Sequence, residues 1–93
     1  MSDVAARCTK SPRRDIGHGV IIEERFLDGR LGGVAYWHTC SEGLPEGYMP
    51  INEPGDTMWW ALVSLDPLTL SPSILCPACK HHGHIVEGKW VPA

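Results

Sequence analysis

From Gly19 onward the apolar positions fall in short β-branched and aromatic runs bounded by turn residues, and no stretch repeats at helical spacing long enough to insist on a helix. Gly19 to Leu27 (GVIIEERFL) and Gly33 to Thr39 (GVAYWHT) flank Asp28-Gly29-Arg30-Leu31-Gly32, which has hairpin turn chemistry, so the two runs are predicted to pair antiparallel. Pro45, Gly47, Pro50, Pro54 and Gly55 then punctuate a segment that predicts a long loop. Thr57 to Leu65 (TMWWALVSL) is uniformly apolar, and periodicity alone does not separate a buried strand from a short helix; a strand is expected. A closing hairpin is predicted over His84 to Val91, turning at Glu87-Gly88. Residues 1–15 are polar and basic and read as a disordered tail, leaving 16–93 as the ordered domain. Trp37, Trp59, Trp60 and Trp90 are expected to form its core.

The fold class this predicts is a small mainly-β (or β-rich α+β) single domain of antiparallel hairpins. At 93 residues such a domain buries only about 60 to 65% of its unfolded surface, so a staple is expected. No apolar leader opens the sequence, which favours a cytoplasmic setting with reduced thiols, and no apolar run is long enough to suggest a membrane span. Four cysteines in that setting point to a metal site rather than disulfides, with Cys8 standing outside it. Net charge is −3, and between Arg30 and Lys80 every charged side chain is acidic. A nucleic-acid reader needs a basic stripe, so nucleic acid is not expected as a partner.

The chemistry concentrates between Leu68 and Trp90. Cys76-Pro77-Ala78-Cys79 is a C-x-x-C knuckle, whose turn aims two sulfurs at one metal. His38 and Cys40, two apart on a strand, share a face and can contribute to the same site. The expected staple is a structural zinc held by Cys40, Cys76 and Cys79 with a histidine completing the tetrahedron. Spacing does not choose between His82 and His38 for that place. A dithiol redox pair is the competing reading of the knuckle, but it would open a helix in a βαβ setting, which nothing here suggests. Ser73 lies three residues before Cys76, so a metal clamp would fix its backbone and pre-aim its hydroxyl. Serine in such a place is commonly only a turn residue.

The elements H-x-C at His38 to Cys40, L-S-P-S-I at Leu70 to Ile74, and C-x-x-H at Cys79 to His82 followed by an apolar strand and G-x-W resemble a bacterial and phage family of small proteins. Its members are encoded beside ubiquitin-like modifiers and their activating and conjugating enzymes, and are implicated as zinc-braced serine peptidases that mature or release the modifier. The likeness spans residues 33–91. It implies Ser73 as nucleophile, Cys40 and Cys79 as zinc ligands, and His38 and His82 as one base and one ligand. The first assignment takes His38 as base and His82 as ligand, with the exchange left open. The family carries a cysteine-rich run after the first histidine, whereas Thr39-Cys40-Ser41-Glu42-Gly43 has a single cysteine; Cys76, which typical members lack, replaces the missing ligand in this reading.

The chemistry so implied is acyl transfer at Ser73, with backbone amides near the knuckle holding the oxyanion and Asp56 or Asp66 orienting the base. The partner is a ubiquitin-like protein, whose basic tail the acidic Glu42 to Asp56 segment could receive. The alternative is a noncatalytic zinc-stapled binding module, such as a phage-encoded decoy or inhibitor.

Overall fold

The computed structural model describes residues 7–39, 46–53, 55–71, 73–75 and 81–93. Among them lie ten strands and no helix: β1 (Cys8–Lys10), β2 (Arg14–Gly17), β3 (Val20–Leu27), β4 (Arg30–His38), β5 (Glu46–Pro50), β6 (Ala61–Leu65), β7 (Leu68–Ser71), β8 (Ile74–Leu75), β9 (His82–Val86) and β10 (Lys89–Pro92). All three sheets are antiparallel. The largest runs β1-β3-β4-β5 with β2 also on β3, the second runs β10-β9-β8, and β6-β7 is a separate hairpin.

The β3-β4 hairpin forms where the turn chemistry placed it, but it is tighter than predicted. Asp28 and Gly29 alone make the turn, at φ of 52° and 80°, a conformation suited to Asp-Gly in a two-residue connection. Gly32 is the extra residue where the register shifts between Arg25 and Phe26, so Arg30 and Leu31 belong to β4 and not to the turn. Glu87-Gly88 turns the closing hairpin with the same pair of positive φ values, 50° and 76°. Glu87 has an unusual conformation for its residue type, and its surroundings explain it. Its amide donates to Thr69 Oγ1 at 2.9 Å and the Gly88 amide to the Leu68 carbonyl at 2.7 Å, which docks the turn onto β7.

Two segments differ from expectation. Within the predicted tail, Cys8–Lys10 pairs with the C-terminal half of β3, and Arg14–Gly17, which straddles the predicted boundary at residue 15, pairs with its N-terminal half. Between them the Ser11 amide donates to the Glu24 carbonyl at 2.8 Å, while Ser11 Oγ accepts from the Glu24 amide at 2.9 Å, carrying the ladder up to Pro12, which has no amide to donate. Two basic residues of this segment find partners too: Arg13 pairs with Glu23 and Arg14 with Glu24. The second difference is β5, which lies inside the predicted loop. Gly47 is there for packing, since the Tyr36 ring lies over it and a Cβ would sit 2.3 Å from Tyr36 Cε1. The apolar run at Thr57 becomes a strand only from Ala61, after Trp60 bridges Ile51.

The core lies between the inner face of the large sheet, with Val20, Ile22, Val34 and Met49, and β7 to β10, with Leu68, Leu70, Ile74, Ile85 and Trp90. Of the four tryptophans only Trp90 belongs fully to it. Trp60 packs against its margin, Trp37 is buried on the opposite face of the sheet under Arg13, and Trp59, in the bend before β6, is 46% exposed.

Trp90 occupies the space over Gly83 on the neighbouring strand, where a Cβ would come within 2.5 Å of the indole ring. Gly83→Ala is therefore expected to cost about 1–3 kcal/mol in urea unfolding. Combining it with Trp90→Leu should cost less than the two changes separately, because the smaller side chain removes the collision.

Candidate functional site

Strand alternation builds this site. Along β9, Gly83 and Ile85 face the core while His82 and His84 face outward. Leu75 pairs directly with His82, so these two share the outer face, and Ser73, two residues before Leu75, is directed to it as well. The result is a contact between Ser73 Oγ and His82 Nε2 at 2.7 Å. Ser73 is half-buried and His82 exposed, so the hydroxyl is held while the imidazole stays open to solvent. With neutral His82 carrying its proton on Nδ1, the Ser73 hydroxyl donates to Nε2, which is the arrangement a general base requires. The His84 ring lies 6.2 Å from that of His82, tilted by 32°.

His38, the first-assigned base, occupies a different place. It ends β4, is buried, and stacks on His81 with ring centroids 4.0 Å apart and planes within 10°. His81 in turn stacks on Trp90 at 4.9 Å. Burial, then the neighbouring charges of His38 and His18, lower the pKa of His81 below its ordinary 6.5.

Cys40, Cys76 and Cys79 lie outside the described residues, as do residues 42–45 and 54 of the acidic segment from Glu42 to Asp56. Among the described residues no group of three or more ligating side chains gathers, and Cys8 is exposed and free. Yet the stack joins two points of direct relevance. His38 is two residues before Cys40 and His81 two residues after Cys79, so the described frame holds together the chain segments from which those cysteines depart. His81 was not singled out by spacing as part of any site. Its proximity to His38 depends on how the two sheets face each other, which no local pattern records.

The two aspartates considered as orienting groups take structural places. Asp56 closes a short turn, its amide donating to the Glu53 carbonyl and its carboxylate accepting from the Glu53 amide. Asp66 lies in the β6-β7 turn. Among the described residues no carboxylate is hydrogen-bonded to His82, and Ser73 and His82 are described below as the serine-histidine dyad. No family model, curated protein or solved structure matches this chain.

Lowering of the His81 pKa has a consequence for stability. As pH falls through 6.5 the unfolded chain takes up the proton first, so stability present above that pH is lost down to the folded-state pKa. The melting temperature should fall between neutral and mildly acidic pH, and His81→Gln should show a smaller fall. An NMR titration of the His81 ring is expected to give a midpoint below that of an unperturbed histidine.

Proposed function

We propose that this domain is a zinc-braced serine peptidase-like domain that processes or removes a ubiquitin-like modifier. The observation that carries the catalytic part is the 2.7 Å contact between Ser73 Oγ and His82 Nε2 on an outward-facing sheet surface. The substrate class rests on the motif resemblance alone. In this reading the two histidine roles are exchanged relative to the first assignment: His82 is the base, and His38 joins Cys40, Cys76 and Cys79 as a candidate zinc ligand.

The donor set suits zinc, combining three thiolates with an imidazole, and the stacked His38 and His81 keep its two flanks in one place. A closed shell of that kind supplies folding energy and leaves the reacting groups to the chain. The steps then follow from the dyad. Ser73 transfers its proton to His82 as its oxygen attacks the scissile carbonyl, and His82 returns that proton to the departing amine. Water, deprotonated by the same imidazole, releases the acyl group and regenerates the serine. An imidazole exposed to solvent loses some of the advantage of a dry site, and a bound substrate would cover it.

The alternative, a noncatalytic zinc-stapled binding module, draws support from the lack of a carboxylate on His82 among the described residues. The two readings separate on Ser73→Ala. For a peptidase, the substitution lowers cleavage of a modifier fusion by about 10³-fold or more while zinc content and melting temperature stay unchanged. A fluorophosphonate probe should label Ser73 in the unaltered protein and fail to label His82→Ala. Equal turnover by Ser73→Ala, or no turnover and no labelling of the zinc-loaded protein, would remove the catalytic reading and leave the binding module.

A further inference from the structure

The dyad leaves His84 without a task. Its side chain lies on the same face of β9 as His82, two residues further on, with the ring centroids 6.2 Å apart and tilted by 32°. His84 makes no hydrogen bond or ion pair with a described residue, so its ring nitrogens are not committed to one. Two imidazoles at alternate positions of one strand are a chelating pair when their separation suits a single ion. With zinc about 2.0–2.1 Å from each coordinating nitrogen, the two ring centroids lie at most about 6.4 Å apart, and about 5.2 Å apart at a tetrahedral angle. The observed 6.2 Å falls inside the first limit, and side-chain rotation that closes it by about 1 Å reaches the second.

The ground around the pair suits a cation. Leu75 is the direct cross-strand partner of His82 and Val91 that of His84, both exposed and uncharged, so neither repels a metal ion. Lys89 pairs with Val86, at the far end of β9. Ser73 Oγ, 2.7 Å from His82 Nε2, places an oxygen donor beside the pair, and solvent can fill the remaining positions because His82 is exposed. The chain's net charge of −3 adds a general attraction for cations. Two neutral imidazoles with oxygen donors make an open, exchangeable zinc site, unlike the closed shell that three thiolates and an imidazole make.

We propose that His82 and His84 form a solvent-facing, exchangeable zinc site, separate from the thiolate set, and that zinc bound there switches off the dyad. The site stands on the geometry of the two rings, while the switch rests on the peptidase reading. Its chemistry follows from the single proton of a neutral imidazole. Zinc on Nε2 takes the lone pair that the Ser73 proton needs. Zinc on Nδ1 moves the ring proton to Nε2, which can then only donate. Whichever nitrogen is metallated, His82 no longer accepts a proton from Ser73.

Ring-nitrogen NMR shifts of the full nitrogen-15-labelled chain, followed as zinc is added beyond the first equivalent, test the assignment. One nitrogen of His82 and one of His84 should move together and saturably towards the range of metal-bound imidazole, while those of His18, His38 and His81 stay where the first equivalent left them. His84→Gln should weaken this uptake at least about tenfold. Because His84 bonds to no described residue, the variant should keep the parent melting temperature when no zinc is added. In the parent, excess zinc should slow fluorophosphonate labelling of Ser73, and His84→Gln should resist that slowing. The site is overturned if the His82 and His84 nitrogens stay unmoved up to about 1 mM zinc, or if His84→Gln takes up the ion as well as the parent. It is also overturned if His82 shifts with the first equivalent, which would make it a ligand of the thiolate site. Labelling that zinc leaves unchanged while both rings are coordinated overturns the switch alone. No labelling even without added zinc removes the switch together with the peptidase reading, and the nitrogen shifts then still decide the zinc site.

Discussion

The indole of Trp90 lying on the bare backbone of Gly83 is the contact on which the rest of the arrangement depends. It fixes β10 against β9, and through the alternation of β9 it decides that Gly83 and Ile85 face inward and His82 outward. Slipping that register by one residue would bury His82 and expose Ile85. The same indole carries His81 on its other neighbour's side, and His81 carries His38. One large side chain therefore links the core, the serine-histidine face and the candidate zinc flank.

The structure divides charge and chemistry between different faces. The outer side of β8-β9 presents Ser73, His82 and His84 with Leu75 and Val91, both exposed and apolar. The far side of the large sheet presents Lys10, Arg13 and Arg25 against Glu23, Asp15 and Glu46. Between them lies the shared apolar core, so a ligand on one face has no direct contact with the other. A small domain can carry two surfaces in this way because an antiparallel sheet needs only one face buried.

Several elements were legible in advance. Asp28-Gly29 and Glu87-Gly88 marked their hairpins because those residue pairs suit the backbone that a two-residue connection demands. The strands β1, β2 and β5 were not, each for a physical reason. β1 and β2 are three- and four-residue edge segments rich in polar side chains, held by a shared neighbour rather than by their own apolar pattern. β5 looked like a loop because Gly47 and Pro50 ordinarily break strands, yet Gly47 is required beneath Tyr36 and Pro50 ends an outer strand of its sheet. At the candidate site, His38 and His82 were singled out by their spacing from the cysteines and Ser73 chiefly by the motif resemblance, while which imidazole meets the serine was not legible.

By itself the sequence determined the antiparallel, turn-rich character of the domain, the positions of its two tightest hairpins and the set of residues able to do chemistry. These are local properties, written in turn propensity, side-chain alternation and the functional groups themselves. Tertiary structure decided the pairings: His82 on Ser73, His38 on His81, Lys10 beside Arg25. Each depends on residues far apart in the chain meeting in one register, and register is set by packing across strands, as Trp90 over Gly83 shows, which a linear pattern does not contain.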